Sequence, residues 1–150
     1  MRRRDRFSKQ TRSWIMSRIR SKYTGLDLKM KSVLDEARVR YVMYPKLFGH
    51  PDFLVRGKIA LFCDSSFWHG RNWTRLRLQL SSGSNPAYWL ERISKNRRRD
   101  KVVSRRLRTE GYVVIRLWDE DIFNKPEKCV TKLREASESV ARGRATVPRV

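Results

Sequence analysis

The sequence predicts an α/β fold in which helices flank a small mixed β-sheet. A chain of 150 residues with 39% hydrophobic content is large enough for one globular domain with its own core. The run from Ile59 to Cys63 is apolar without polar alternation, which is typical of a central strand covered on both faces. Helical and strand-like segments follow one another along the chain, and that order favours a sheet with helices packed against it.

The predicted domain covers residues 11–142, between a basic, flexible tail at 1–10 and a frayed C terminus at 143–150. Its helices are predicted at residues 11–20, 24–38, 87–109 and 126–142. Thr24 is a suitable N-cap because Asp27 follows three residues later, which is the spacing of a capping box. Gly111 is expected to end the long helix, and Pro126 to open the last one.

Strands are predicted at residues 41–44, 52–55, 58–63 and 112–118. Gly57 is expected to make the tight turn between the second and third of these. Residues 74–86 contain a Ser-Ser-Gly-Ser-Asn-Pro loop before the long helix. No internal repeat and no second domain is indicated.

The charge of the chain predicts a polyanionic partner. There are 36 Lys and Arg against 15 Asp and Glu, a formal net charge of +21. Basic groups beside flat rings suit both phosphates and bases, which favours double-stranded DNA as the partner. Arg2, Arg3 and Arg4 of the tail are expected to add nonspecific contact. The basic residues expected to meet phosphates are Arg71, Arg75, Arg77, Lys95, Arg97, Arg98 and Arg99.

The cysteines and the N terminus indicate the compartment. Cys63 and Cys129 are the only cysteines and form no CxxC pair, so their spacing signals neither a disulfide framework nor a zinc site. The N terminus is basic but lacks the apolar stretch of a signal peptide, and no run approaches the length of a membrane span. We therefore expect a cytoplasmic, nucleoid-associated protein with no membrane partner.

The long helix contains a polar group on its apolar stripe. The apolar positions of this stripe are Trp89, Ile93, Val103 and Leu107. At helical spacing Asn96 and Asp100 fall on the same face. A carboxylate that faces the core is costly unless it is paired or holds a metal ion. A salt bridge from Asp100 to one of the many arginines and a functional role are equally compatible with this pattern.

Three further residues extend the candidate site. Asp52 can be read as a turn residue after Pro51, and Asp27 as the second half of a capping box. Taken together with Asp100, they also supply carboxylates near the ends of elements that should pack on one sheet, and one or two carboxylates suffice for Mg²⁺. His69 follows the predicted central strand at the edge where Asp52 would lie. A histidine beside metal ligands in a basic protein favours acid–base chemistry on phosphodiesters.

Several long motifs resemble one nuclease family. They are TRSWIMSRIRSK near the start, PDF at 51–53, FCDSSFWHG at 62–70, YWLERISKNRRRD at 88–100 and GYVVIRLWDED at 111–121. These motifs resemble the very-short-patch-repair (Vsr) mismatch endonucleases, a branch of the PD-(D/E)xK superfamily, over residues 11–121. The resemblance implies a restriction-endonuclease-like fold, a mixed sheet flanked by helices.

The resemblance also implies a catalytic set. The family's catalytic positions match Asp27, Asp52, His69 and Asp100, and Asp27 stands where the family usually has glutamate. Family members bind Mg²⁺ through the aspartate of the PD motif, here Asp52, and through a backbone carbonyl that matches Cys63. The usual (D/E)xK ending is absent, and His69 is expected to take the role of the lysine.

One departure from the family concerns zinc. Vsr enzymes carry a structural zinc, and the positions that match its ligands here are Ser66, Arg71, Trp73 and Glu120. These residues would not build a thiolate-rich tetrahedral site, so we expect no structural zinc. Packing by Trp73 and Trp118, or ion pairs, must then hold the loop. The zinc-free set is also similar to the EDxHD homing endonucleases.

The aromatic residues beside His69 suggest intercalation. In Vsr enzymes the rings matching Phe67, Trp68 and Trp89 wedge into DNA at a T:G mismatch, and a residue matching Met16 enters from the minor groove. Parting a base step costs a few kcal/mol and is cheapest at a mispair. The alternative is that these rings belong to the core, which the stripe of the long helix makes a serious possibility for Trp89.

The resulting functional prediction is a Mg²⁺-dependent DNA endonuclease that nicks one strand at or near a T:G mismatch. Two alternatives stay open. One is a homing or mobile-element endonuclease of the EDxHD type that cuts a long matched site. The other is a catalytically degenerate nucleic-acid-binding protein that kept the scaffold.

Overall fold

The structure is a computed structural model that describes residues 8–11, 13 and 22–143. The helices bounded within these residues are α1 (Gly25–Glu36), α2 (Trp73–Ser81), α3 (Pro86–Thr109), α4 (Asp119–Asn124) and α5 (Pro126–Ala141). The strands are β1 (Tyr41–Met43), β2 (Phe53–Val55), β3 (Ile59–Asp64) and β4 (Val113–Trp118). None of the described helices is long and apolar enough to cross a membrane.

The strands form one mixed sheet in the order β1-β2-β3-β4. The pairs β1–β2 and β2–β3 are antiparallel, whereas β3 and β4 are parallel. A tight turn joins β2 to β3, and there Arg56 and Gly57 both have positive φ angles, of 50° and 68°. The parallel pair is joined by a crossover that contains α2 and α3. The predicted restriction-endonuclease-like mixed sheet flanked by helices is confirmed.

Helices cover both faces of β3, which explains why its sequence does not alternate. On one face Ile59 and Leu61 pack with buried residues of α1, α4 and α5. On the other face Ala60 and Phe62 pack against Val103 and Leu107 of α3, which are buried as the stripe predicted. This second packing orients α3 so that the side chain one turn before Ser104 faces the end of the sheet, and that residue is Asp100.

The remaining helix predictions have different outcomes. The helices that begin at Thr24, near Ala87 and at Pro126 are confirmed to within a few residues. The predicted helix at 11–20 and both predicted tails lie largely outside the described residues. The helix α2 was not predicted, because its Arg-Leu-Arg-Leu-Gln-Leu alternation has the period of a strand. None of its residues is buried, and it contacts α3. Its sequence therefore has no apolar stripe of helical period that would predict a helix.

Candidate active site

A cleft of about 900 Å³ opens where β2 begins and β3 ends. Antiparallel pairing of these strands places Asp52, which directly precedes β2, beside the last residues of β3. The predicted catalytic and metal-binding residues that line the cleft are Asp52, Cys63, His69 and Asp100. Separate segments of the chain therefore bring two of the predicted carboxylates and the imidazole to one cavity.

His69 and Asp100 form a hydrogen-bonded pair. His69 lies in the loop that follows β3, where its backbone N–H donates to the carbonyl of Ser65 at 3.0 Å. Its Nδ1 atom is 2.7 Å from Oδ2 of Asp100. Burial acts to lower the pKa of His69, but the hydrogen bond to Asp100 and the charges of Asp64 and Asp100 outweigh burial, so the pKa is raised. With Nδ1 engaged, Nε2 is the ring nitrogen left for a substrate or water.

Asp52 is held by the backbone of β3. Its Oδ2 atom accepts a hydrogen bond from the backbone N–H of Cys63 at 2.7 Å, so it does not act as a simple turn residue. Burial is the main cause that raises its pKa to about 7, and the negative charges of Asp27 and Asp64 add to this effect. The Cys63 N–H works in the opposite direction. A group in this state would bind a proton or a cation at neutral pH.

Asp27 is buried in the first turn of α1, and its carboxylate lies within 4.8 Å of the carboxylate of Asp52. Its backbone N–H donates to Oγ1 of Thr24 at 3.3 Å, which is one half of the predicted capping box. Among the described residues, its carboxylate does not accept from the backbone N–H of Thr24, which would form the other half, and instead accepts a hydrogen bond of 2.7 Å from the hydroxyl of Tyr44. Burial chiefly raises the pKa of Tyr44 to about 12, so this residue remains a donor. The capping-box explanation of the Asp27 side chain is wrong, and the sequence did not single out Tyr44.

Two charged residues of the cleft were missed by sequence reasoning. Asp64 ends β3 and is 3% exposed, and both of its carboxylate oxygens contact Nη1 of Arg116, at 3.0 and 3.1 Å. Oδ1 of Asp64 is also 3.8 Å from Nδ1 of His69. Nη1 of Arg116 also lies 3.5 Å from Oδ1 of Asp100. The inward-facing carboxylate of Asp100 is therefore compensated by both Arg116 and His69. A signal was present, since Arg116 is the only polar residue in the strand sequence VVIRLW.

The acidic groups of the cleft fall into two clusters that differ in their fitness for a cation. In each cluster the potential ligand atoms lie within 4.8 Å of one another. In one cluster, both carboxylates have a cationic partner, because Nη1 of Arg116 lies 3.0 Å from Asp64 and 3.5 Å from Asp100. Among the described residues, no Lys, Arg or His forms an ion pair with Asp27 or Asp52.

The Asp27–Asp52 cluster fits a hard cation better than a soft one. Burial raises the pKa of the neighbouring Cys63 thiol well above its usual value, which disfavours the thiolate that a soft metal would need. These two carboxylates, one of them with a raised pKa, have no ion-pair partner among the residues that the structure describes, and they match the oxygen ligands that Mg²⁺ prefers.

Four aromatic rings form one cluster between the loop that carries His69 and the first turn of α3. The ring centroids of Phe67 and Trp68 are 5.3 Å apart, and Trp89 lies 5.5 Å from Phe67 and 5.6 Å from Trp68. Tyr88, which was not predicted, adds a fourth ring 5.0 Å from that of Trp89. Phe67 is exposed, and the other three rings are only partly buried. Trp89 is therefore not a core residue, whereas Met16 lies outside the described residues.

Hydrogen bonds and ion pairs fasten the loop to α4. The hydroxyl of Ser66 donates to Oδ1 of Asp119 at 2.5 Å, and the Ser66 backbone N–H donates to the same oxygen at 3.1 Å. Arg71 forms ion pairs with Glu120 at 3.2 Å and with Asp121 at 3.3 Å. We call these contacts between the loop and the first turn of α4 the loop clasp.

The loop clasp occupies positions where the resemblance implied zinc ligands. Ser66, Arg71, Trp73 and Glu120 offer a hydroxyl, a guanidinium, an indole and a carboxylate, whereas structural zinc is held by thiolates and imidazoles. The guanidinium of Arg71 is also 5.6 Å from the ring centroid of Trp118. These donors do not fit zinc. The ion pairs and the tryptophan contact, which were open alternatives for holding the loop, occur together.

The predicted phosphate-binding residues separate into two groups. Arg71 belongs to the loop clasp, and the guanidinium of Arg97 lies 5.2 Å from the ring centroid of Trp73, so both have intramolecular partners. The other five predicted residues are exposed on α2 and α3, and Arg99 also lines the cleft. We call these five residues the basic strip: Arg75, Arg77, Lys95, Arg98 and Arg99.

The fold and the cleft place the protein in the restriction-endonuclease-like class of α/β proteins. A sequence model of the family described as "DNA mismatch endonuclease Vsr" matches residues 4–75, which include Asp27, Asp52 and His69. Type II nicking enzyme V.NmeDIP of Neisseria meningitidis serogroup C is 33% identical over 134 residues, covering 88% of this chain and 89% of the relative.

Two other relatives extend the comparison. Type II nicking enzyme V.NmeAIP of Neisseria meningitidis serogroup A is 30% identical, covering 91% of this chain and 99% of the relative. DNA mismatch endonuclease Vsr of Escherichia coli K12 is 29% identical, covering 77% of this chain and 73% of the relative. The chain belongs to the Vsr family of DNA endonucleases.

Proposed function

We propose that this protein is a Mg²⁺-dependent DNA endonuclease that nicks one strand at or near a T:G mismatch. The observation that carries the proposal is the hydrogen bond of 2.7 Å between His69 and Asp100, in the same cleft as the partly buried carboxylate of Asp52. An imidazole oriented by a carboxylate can act as a general base, and a second carboxylate can hold a cation. The net charge of +21 suits a DNA substrate.

The cation site consists of Asp52 and the backbone carbonyl of Cys63. Asp27 lies close enough to Asp52 to raise its pKa, and its carboxylate would add negative charge beside a cation bound there. Mg²⁺ bound there would neutralise charge on the scissile phosphate and stabilise the leaving 3′ oxygen. A bound cation would favour the ionised form of Asp52, whose pKa is otherwise raised to about 7 by burial.

His69 and Asp100 handle the proton of the attacking water. Nε2 of His69 takes this proton while the water oxygen bonds to phosphorus, and the bond from phosphorus to the 3′ oxygen breaks. The departing 3′ oxygen takes a proton from solvent, so the products are a 5′-phosphate and a 3′-hydroxyl, and the imidazolium of His69 later returns its proton to solvent. Asp100 accepts from Nδ1–H, which fixes the tautomer and stabilises the imidazolium as it forms. The basic strip contacts the backbone phosphates on either side of the cut.

The aromatic cluster supplies a reason for mismatch preference. Phe67, Trp68 and Trp89 lie together at the surface next to the loop that carries His69, and Arg92 lies 5.9 Å from the ring centroid of Trp68. Rings that enter a base step require unstacking, and unstacking costs least at a mispair. The relatives named as nicking enzymes support cleavage of a single strand.

The test is single-turnover cleavage of end-labelled duplexes that differ only in one T:G or T:A pair. We expect a nick in one strand of the T:G duplex with Mg²⁺, and no product with a chelator. His69→Gln should reduce the rate by about 100- to 10,000-fold. Arg134→Gln removes an exposed charge on α5, which packs on the opposite face of the sheet from α3, and should cleave like the wild type.

Three outcomes would contradict the proposal. Equal cutting of T:G and T:A duplexes would remove the mismatch requirement, and cutting of both strands would remove the nicking assignment. Full activity of His69→Gln would remove the general base. A long matched target included in the same assay checks the homing alternative directly.

A further inference from the structure

We infer that Arg116, together with Asp64, is a positioning residue that makes Asp100 the partner of His69. This inference rests on the proposed function, because it assigns a role in the same cleft. Arg116 touches neither the attacking water nor the phosphate in the mechanism above. Instead, it determines whether the imidazole of His69 forms its hydrogen bond with Asp100 or with Asp64.

Arg116 is fixed on three sides. It lies on β4 opposite Phe62 of β3, and its guanidinium is 4.1 Å from the ring centroid of Phe62. Its Nε donates to the hydroxyl of Ser104 at 3.2 Å. Ser104 is one helical turn after Asp100 on α3, so this bond ties β4 to the part of α3 that carries the catalytic carboxylate. Its Nη1 is then left to face the two carboxylates.

The imidazole has two candidate acceptors. Nδ1 of His69 is 2.7 Å from Asp100 and 3.8 Å from Asp64. A small rotation of the ring would bring Nδ1 to Asp64 instead of Asp100. The same rotation would move Nε2, the atom that takes the proton from the attacking water. Nη1 of Arg116 contacts both oxygens of Asp64, at 3.0 and 3.1 Å. Because a guanidinium already satisfies Asp64, that carboxylate competes poorly for the imidazole.

Arg116 also reduces the repulsion between the negative charges of Asp64 and Asp100. Asp64 and Asp100 have side chains that are 5% and 20% exposed, so two carboxylates share a poorly hydrated space. Nη1 of Arg116 lies 3.0 Å from the first and 3.5 Å from the second, between the two. Without this cation the carboxylates would repel each other, and Asp100 would be displaced from His69.

A purely structural ion pair would contact the same residues, so the test must separate the two roles. The variants are Arg116→Gln, Asp64→Asn, the double variant and Arg116→Lys, with Arg134→Gln as the control that loses one exposed charge. Cleavage is measured at saturating enzyme with Mg²⁺, and DNA affinity is measured with a chelator. Urea unfolding reports stability. The chain has two histidines, so the NMR titration of His69 is resolved without DNA or metal.

We expect Arg116→Gln to lower the cleavage rate about 10- to 100-fold, with DNA affinity unchanged, because misplacement of a catalytic group by about 1 Å has an effect of this size. The double variant removes both charges at constant shape and should recover most of this loss. Arg116→Lys keeps the positive charge but cannot contact Ser104 and both carboxylates at once. Its cleavage rate should therefore lie between the rates of the wild type and Arg116→Gln.

The titration of His69 gives a second readout. The charged groups that face its ring are Asp64 and Asp100, which favour the protonated form, Arg116, which opposes it, and Asp52 across the cleft. Arg116→Gln should move the midpoint to lower pH, because displacement of Asp100 removes a hydrogen bond that raises the pKa of His69 more than the charge of Arg116 lowers it. If the pair were merely structural, Asp100 would stay in place, and loss of the opposing charge alone would move the midpoint to higher pH.

The outcomes are distinguishable. Wild-type rates in Arg116→Gln and Arg116→Lys, or no recovery in the double variant, would overturn the positioning role and leave the proposed nuclease intact. A wild-type protein that cuts no DNA would overturn the proposed function. In that case, a lower midpoint of His69 in Arg116→Gln would still support the positioning of Asp100 by Arg116, and a higher or unchanged midpoint would overturn it as well.

Discussion

Replacement of Asp52 by asparagine should stabilise the metal-free protein while it abolishes cleavage. The asparagine carbonyl can still accept the hydrogen bond from the Cys63 backbone, which Asp52 accepts at 2.7 Å, so the shape of the site is retained. What is lost is a negative charge that burial, Asp27 and Asp64 all disfavour. The variant therefore separates the role of this residue in stability from its role in binding a cation.

The magnitude follows from the pKa of Asp52, which rises from 3.8 to about 7 on folding. Below 3.8 the carboxyl is neutral in both states and carries no penalty. Between 3.8 and about 7 only the unfolded state ionises, so stability falls as pH rises. Above about 7 the loss is complete, and at about 1.4 kcal/mol per pKa unit it amounts to at most about 4 kcal/mol. The cleft is open to solvent, so we expect about 2–4 kcal/mol.

The measurement is urea unfolding of the wild type and Asp52→Asn across this pH window, with a chelator present. The two proteins should be equally stable at the acid end, and the variant should be more stable at neutral pH. Mg²⁺ should then raise the stability of the wild type but not of the variant. Glu135→Gln, an exposed change on α5, is the control and should follow the wild type. A stability difference that does not change with pH, or an equal response of both proteins to Mg²⁺, would refute the reasoning.

Three further predictions concern the DNA-binding surface and the loop. Trp68→Ala should weaken binding to a T:G duplex by about 1–3 kcal/mol, the value of one base–aromatic stack, with little effect on a matched duplex in the same titration; equal weakening of both would argue against wedging. The logarithm of the affinity for DNA should fall with the logarithm of salt concentration with a slope of about −4.5, if each of the five residues of the basic strip contacts one phosphate; a slope near zero in fluorescence anisotropy would exclude that role. Asp119→Asn should weaken the loop clasp by about 1 kcal/mol and increase proteolysis near His69, whereas a chelator should not; a chelator effect in the wild type without Mg²⁺ would point to a bound metal in the loop.

The sequence predicted those parts of the site that periodicity places. The apolar stripe of α3 put Asp100 on the face toward the sheet, and Ile93, Val103 and Leu107 are buried as that stripe requires. The tight turn at Gly57 put Asp52 beside the end of β3. In both cases a local repeat or a short turn determines which way a side chain points, so one chain is enough for the inference.

The residues that sequence reasoning missed are those whose partners lie far along the chain. Asp64 and Arg116 are 52 positions apart, and they meet only because β3 and β4 pair in parallel with Phe62 opposite Arg116. Tyr44 reaches Asp27 across 17 positions. None of these side chains, read alone, indicates which residue it contacts. The helix α2 was missed for a related reason, since its stability comes from contact with α3 and not from a stripe of its own.

The loop clasp shows how a side-chain arrangement can take the place expected for a metal. Structural zinc binds its ligands with about 10–16 kcal/mol, whereas partly exposed ion pairs contribute about 0–1 kcal/mol each. The contacts of Arg71 with Glu120 and Asp121 are therefore weak individually, and the Ser66–Asp119 hydrogen bonds and the Trp118 ring must share the task. Ion pairs at a surface are screened by salt, and so are phosphate contacts. Salt should consequently loosen the loop that carries His69 under the same conditions that release DNA, which couples placement of the general base to binding of the substrate.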